Sequence, residues 1–296
     1  MTRPALPHYY TGKVRDLYEV GPDRMLIVAS NRISVFDVVL ADEIPDKGRA
    51  LTALSTFWFE RTAGVAPNHL LTADPARFPP GVGPETRGRA MLVRAATPIR
   101  LECVARGYLF GSAWEEYRAA GTVCGRPFPA RLRQAERLDE PIFTTTTKAE
   151  PGAGHDETLT DADAAARVGG PVFERCRDAT LAVYRFGAAH AEARGLLLAD
   201  TKLEFGVVDD ALVVIDELLT SDSSRYWDRE RYAVGTSPPS FDKQFVRDHY
   251  EAAGWDHRPP APPLPASVID GTRSRYIEAY ERLTGLRFGD WYAPPP

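Results

Sequence analysis

The chain has 296 residues, 44% hydrophobic and 26% charged, an ordinary globular mixture long enough for one large domain or two lobes and for a core that needs no disulfide or metal staple. With 41 acidic and 36 basic residues the formal charge is −5, which excludes a global basic field for nucleic acid or anionic lipid. Cys103, Cys124 and Cys176 are too few and too separated for a disulfide framework or a thiolate zinc site, and no run reaches the ~18 apolar residues of a membrane span, so a cytoplasmic, non-membrane protein is expected.

The first third reads as strands and turns, with aliphatic runs at Asp16 to Val20, Met25 to Val28 and Ala90 to Val93 and one helix near Leu51 to Arg61, which suits an α+β lobe. Ser112, followed three residues later by Glu115 and closed by Gly121, predicts a short helix with Ser112 as its cap. From Pro171 to Gly195 apolar residues recur at three- and four-residue steps, which predicts a long helix. A strand at Leu196 to Ala199 then leads to a hairpin, Lys202 to Val208 and Ala211 to Glu217, turning at Asp209-Asp210. Helices near Asp242 to Ala253 and Pro265 to Leu283 finish the chain, joined by the Pro-rich connector Arg258 to Pro265.

Only five of the 36 basic residues are lysines: Lys13, Lys47, Lys148, Lys202 and Lys243. Each sits in a polar cluster, and an ammonium is a compact, mobile charge suited to phosphate oxygens where a guanidinium is a broad fork.

The hairpin carries the most geometric information. Leu203, Phe205, Val207, Val213 and Ile215 form its apolar parity, while Glu204 and Asp216 share the other parity and could meet one cation, as Mg²⁺ is held when phosphates supply further ligands. A three-residue loop would set the two carboxylates opposite each other; a strict two-residue turn would send them to opposite faces unless a bulge intervenes. A pair of solvated carboxylates on an exposed face is the plain alternative.

Four further clusters stand out. Gly12-Lys13-Val14-Arg15 puts a glycine before alternating cations entering a strand, which admits phosphate, although by itself an ordinary hairpin with surface charges is the plainer reading. Arg106 lies among apolar residues just before the Ser112 helix, a combination that makes an anion site. Thr220-Ser221-Asp222-Ser223-Ser224-Arg225 offers hydroxyls and another guanidinium, and Thr144 to Glu157 forms a donor-rich, glycine-containing segment with Lys148, His155 and Asp156.

In this order the segments Gly12-Lys13-Val14-Arg15-Asp16, Ile44-Pro45-Asp46-Lys47-Gly48, Arg106-Gly107-Tyr108, Gly111-Ser112-Ala113-Trp114, Thr147-Lys148-Ala149-Glu150, His155-Asp156-Glu157, Asp200-Thr201-Lys202-Leu203-Glu204-Phe205-Gly206, Asp222-Ser223-Ser224-Arg225 and Ser240-Phe241-Asp242-Lys243-Gln244 resemble the SAICAR synthetases of purine biosynthesis. The resemblance covers roughly residues 8 to 250. It implies an ATP-dependent ligase joining a carboxylated aminoimidazole ribonucleotide (CAIR) to L-aspartate through an acyl phosphate. It also implies an α+β fold in which a kinase-like N-terminal lobe, residues 1–100, meets a larger ATP-grasp-like domain, residues 101–296, with ATP in the cleft.

By the same resemblance Gly12, Lys13, Val14, Arg15, Arg94 and Glu102 would hold ATP, Lys202 would touch phosphate near the reacting centre, and Glu204 and Asp216 would bind Mg²⁺. Arg106, Ser112, Asp200 and Arg225 would take the nucleotide substrate, and Lys148 and Asp156 the aspartate. Arg94 stands where many members have lysine beside the adenine, and Ser221 where proline is common. The oligomer is expected to be a monomer or homodimer. The rival reading is a small-molecule kinase with a related cleft, which would release ADP without an amine.

Overall fold

A computed structural model describes residues 4–148 and 157–293. The first lobe is an antiparallel sheet whose strands lie in the order His8–Thr11, Arg15–Glu19, Arg24–Ala29, Ala90–Arg94, Leu70–Thr72. The aliphatic runs seen in the sequence are its central strands, and Leu26, Ile27 and Val28 are buried. Beside the sheet stands the hairpin Arg32–Val35 and Val38–Glu43, and against it packs the helix Lys47–Arg61. That helix begins four residues earlier than the hydrophobic pattern indicates, because Gly48 lets it start against a neighbouring strand. A Cβ there would meet the Ala29 carbonyl at 2.7 Å.

The second sheet runs in the order Thr158–Leu159, Glu136–Thr147, Thr97–Leu109, Leu196–Val208, Ala211–Ile215, with Ser224–Asp228 also pairing along Leu196–Val208. Leu196 to Val208 is thus one continuous strand rather than a strand followed by a hairpin arm. The long amphipathic helix, Gly170–Ala193, covers one face of this sheet together with Asp161–Val168. The helix Ala266–Thr284 returns to pack on Lys47–Arg61, so one set of buried apolar side chains, from Ile27, Leu54 and Trp58 to Cys103, Phe205, Tyr276 and Leu283, runs through both parts. No helix among the described residues is long and apolar enough to cross a membrane.

Two local expectations are corrected. The short helix is Ser112–Ala120, but Gly111, at φ 60°, is its cap residue and Ser112 is its first helical residue. The Ser112 hydroxyl is therefore left to other partners, and position 111 favours glycine because φ 60° with ψ −138° is a conformation that residues with a Cβ rarely adopt. The hairpin turn is the two-residue form: Asp209 and Asp210 have φ 49° and 61°, Val208 pairs with Ala211, and Glu204 pairs with Ile215. The three-residue loop that would have set Glu204 opposite Asp216 is absent.

Candidate active site

One face of the second sheet gathers the charge. Alternation puts Glu102, Val104 and Arg106 on one face of Thr97–Leu109 and Asp200, Lys202 and Glu204 on the same face of Leu196–Val208, with Arg106 opposite Asp200 and Glu102 opposite Glu204. Thr144 and Thr146 continue it on the next strand, opposite Val104 and Glu102. The intervening Cys103, Ala105, Leu203 and Phe205 belong to the apolar core behind. Period-two patterning thus separates chemistry from packing along three adjacent strands.

The face holds two clusters. In the first, Arg106 donates to Asp200 at 3.1 Å, to Thr144 Oγ1 at 3.2 Å and to Ser112 Oγ at 3.2 Å, while Arg225 also pairs with Asp200 and lies 3.9 Å from Asp242. Two guanidiniums beside the start of a helix make an anion site. In the second, Lys202 Nζ donates to Glu102 at 2.6 Å and to Glu204 at 3.1 Å, Lys148 pairs with the other Glu204 oxygen, and Thr146 donates to Glu102 at 3.2 Å. Burial alone would raise the Glu204 carboxyl, but Lys202 and Lys148 outweigh it and draw it down to about 2. Burial likewise opposes the Lys202 charge, and Glu204 and Glu102 reverse that, holding the ammonium above its ordinary range. Glu204 is 8% exposed, so it is not the solvated carboxylate that an open sheet face would present.

Asp216 reaches this cluster by a different route. A two-residue turn with Glu204 opposite Ile215 would carry residue 216 to the far face, but the strand ends at Ile215 and Asp216 takes the left-handed conformation, φ 67°. Its carboxylate accepts from Arg15 at 2.8 Å and feels the charges of Glu204 and Lys202. Burial pushes the Asp216 carboxyl up to about 6 against the pull of Arg15, with Glu204 and Glu217 adding to the rise. Arg15 also pairs with Glu217 at 2.5 Å, so its guanidinium ties the first lobe's sheet to the end of the hairpin.

Among the other residues singled out in the sequence, Gly12 closes a tight turn onto the Arg15 carbonyl at 2.7 Å, and the Val14 carbonyl accepts from Ser30. Lys13 is exposed and pairs with Asp37 at 2.6 Å, and Arg94 is 3.8 Å from Asp209. Asp156, like His155, lies outside the described residues. Two features escape sequence reasoning, since Glu217 and His69 carry no periodic signal, whereas Lys47 is one of the five lysines whose type suits phosphate and is instead enclosed by protein. Lys47 is fully buried, donates to Asp222 at 2.6 Å, and shares it with Lys243 at 3.3 Å and the Tyr276 hydroxyl at 2.6 Å. The shortage of lysines was its available signal, since all five pair with carboxylates.

Among the described residues no group of three or more His, Cys, Asp or Glu side chains is disposed around a metal. Glu204 and Asp216 nevertheless suit a hard divalent cation that keeps water and phosphate oxygens as its other ligands.

The family model described as SAICAR synthetase matches residues 8–262. The phosphoribosylaminoimidazole-succinocarboxamide synthase of Saccharopolyspora erythraea is 52% identical over 293 residues, covering 97% of each chain. That of Syntrophobacter fumaroxidans is 48% identical over 285 residues, covering 95% of this chain and 94% of its own. The solved SAICAR synthase of Saccharomyces cerevisiae, complexed with SAICAR, superposes with a TM-score of 0.86 at 39% identity, over 95% of this chain and 96% of the other. These likenesses span both parts of the fold and do not favour the kinase alternative. The chain belongs to the SAICAR synthetase family, the ATP-dependent ligases of purine biosynthesis.

Proposed function

We propose that the polar sheet face joins CAIR to L-aspartate, with ATP lying between a lobe of residues 1–100 and a domain of residues 101–296. The observation that carries this reading is the row Arg106–Asp200 and Glu102–Lys202–Glu204, an anion site and a charge-rich reacting site set two residues apart on neighbouring strands. A ribonucleotide phosphate held by Arg106, Arg225 and Ser112 would direct its imidazole carboxylate toward Lys202. With the Gly12 amide closing its turn onto the Arg15 carbonyl, the amides of Lys13 and Val14 and the exposed Lys13 ammonium would hold the ATP phosphates, while Arg15 aligns that strand with Asp216. Arg94 would border the adenine.

A carboxylate is a poor acylating agent, so its oxygen takes the γ-phosphoryl group, the bond to ADP breaks, and the aspartate amine then attacks the acyl carbon and expels phosphate. Lys202 is oriented by Glu102 and Glu204 to stabilise charge on the transferring group. Lys148, with Asp156, would receive aspartate by exchanging its Glu204 partner for a substrate carboxylate. A divalent ion, Mg²⁺ in the cell, would be held by Glu204 and Asp216 and would neutralise phosphate oxygens. The enzyme would work in the cytoplasm as a monomer or homodimer on small molecules alone.

The test is ADP release from purified protein with Mg-ATP, CAIR and L-aspartate, omitting each in turn. Release that needs both organic substrates, with an amide product, supports the reading, whereas full release without aspartate and recovery of a stable phosphorylated product would return the kinase alternative.

A further inference from the structure

The carbonyls of the turn at residues 12–14 are claimed by two neighbouring side chains. Arg32, at the start of the hairpin Arg32–Val35 and Val38–Glu43, donates from Nε to the Lys13 carbonyl at 3.1 Å and from Nη2 to the Gly12 carbonyl at 3.2 Å. The Val14 carbonyl accepts from the amide and the hydroxyl of Ser30, each at 2.9 Å, and that hydroxyl in turn accepts from the Arg32 amide at 3.3 Å. Asp16 fixes the guanidinium, accepting from Nη2 at 3.1 Å on one oxygen and from Nη1 at 3.4 Å on the other. A planar fork with five donors serves a carboxylate and two carbonyls together; an ammonium has three donors and no fixed plane.

A trans peptide sets its C=O and N–H in opposite directions, so turning the Gly12 and Lys13 carbonyls to Arg32 turns the Lys13 and Val14 amides away from it. Neither amide donates to a backbone carbonyl among the described residues. Arg15 and Asp16, adjacent in the strand Arg15–Glu19, point to opposite faces, Asp16 to Arg32 and Arg15 to Asp216. Facing away from Arg32 therefore means facing the side of Asp216, and two successive amides turned the same way form a concavity for an anion.

We infer that Arg32 is a positioning residue for the nucleotide: by holding the Gly12 and Lys13 carbonyls from behind, it presents the Lys13 and Val14 amides as a pair to the phosphates. This rests on the reading of the 12–14 turn as the phosphate cradle. A contact that only tied the hairpin to the first sheet would affect stability and leave phosphate recognition as it is.

The experiment compares wild type, Arg32→Met and Arg32→Lys, the last keeping the charge without the fork. Affinities for ADP and for adenosine, which has no phosphate, are measured by calorimetry, and the Lys13 and Val14 amide resonances are followed as ADP is added. Both amides should shift with ADP in wild type. Arg32→Met should bind ADP about tenfold more weakly and adenosine within about twofold of wild type, with the shifts at 13 and 14 reduced. Arg32→Lys should lose about fivefold for ADP, and it alone carries the measurements if Arg32→Met does not fold. Unchanged ADP affinity in the folded variants overturns the inference, as does an equal loss for ADP and adenosine. Wild-type ADP affinity in Arg32→Lys would assign the effect to charge rather than to the fork and overturns it as well. Failure of the cradle reading has a separate signature: the two amides of wild type would then not respond to ADP, whatever the Arg32 variants do.

Discussion

Two clusters in this molecule have the same composition, a carboxylate shared by two lysines, and opposite accessibility. Around Glu204 the Lys148 and Lys202 side chains are 41% and 33% exposed, whereas around Asp222 those of Lys47 and Lys243 are 0% and 14% exposed and Tyr276 seals the remainder. The first has lysines accessible enough to exchange a protein partner for a ligand; the second is far less accessible and links the start of Lys47–Arg61, the loop before Ser224–Asp228 and the helix Ala266–Thr284. Composition alone therefore does not mark a reacting site. Access separates the two, since the lysines around Glu204 are far more open to solvent than those around Asp222.

The comparison is broken most directly at Asp222. Asp222→Ala leaves two buried ammoniums facing each other, and should cost about 3–5 kcal/mol in urea denaturation. A loss under about 1 kcal/mol with activity abolished would mean that the sealed cluster serves chemistry rather than the frame. Glu204→Gln is the counterpart: turnover should fall roughly a hundredfold to a thousandfold. Glu204 is buried and neutralises Lys202 and Lys148, so Glu204→Ala should also lose stability, unlike a carboxylate on an open face. Near-wild-type turnover in the Gln variant would remove Glu204 from the reacting site.

Smaller effects sharpen the contrast. Arg106→Ala and Arg225→Ala should each raise the KM for CAIR by about one to two orders of magnitude, the value of a hydrogen bond to a charged group, with the KM for ATP nearly unchanged. Equal losses for both substrates would show that the two clusters form a single pocket. In the sealed cluster the readout is pH. Burial lowers Lys47 to about 8, against the attraction of Asp222, from 10.5 in an exposed lysine. Between those values the unfolded chain holds a proton that the folded one has released, so the Lys47 contribution to stability rises with pH across that window. The stability of wild type relative to Lys47→Met should therefore increase from pH 8 to 10.5, and a flat difference would mean that Lys47 is not buried in solution.

Much of this architecture was legible because it follows local patterns. The aliphatic strands, the 24-residue helix Gly170–Ala193 and the polar parity of Asp200, Lys202 and Glu204 all express period 3.6 or 2.0. Long-range facts were not legible. Glu204 opposite Ile215 follows from Asp209 and Asp210 both accepting positive φ, and the correction that brings Asp216 back is a single backbone conformation at residue 216. Arg15 is separated from Asp216 by 201 positions and Lys47 from Asp222 by 175, so no spacing rule reaches them. Local periodicity identifies a face, but tertiary contacts decide which charges on it are already spent.

The smallest expected effect lies next to Asp222. Ser221 is fully buried and its hydroxyl has no hydrogen-bond partner among the described residues, although its neighbours Thr220 and Ser223 bond to each other, to Glu217 and to the loop backbone. An unpaired buried hydroxyl loses its hydration without recovering it, and Ala removes the group at almost unchanged volume. Ser221→Ala should thus stabilise the protein by about 1 kcal/mol in urea denaturation while leaving kcat and both KM values as they are, because the sealed cluster is not in the reaction path. If the substitution instead altered turnover, the loop at 218–223 would be coupled to the reacting face through Glu217 and Arg15, and the division between the two lysine clusters would have to be redrawn there.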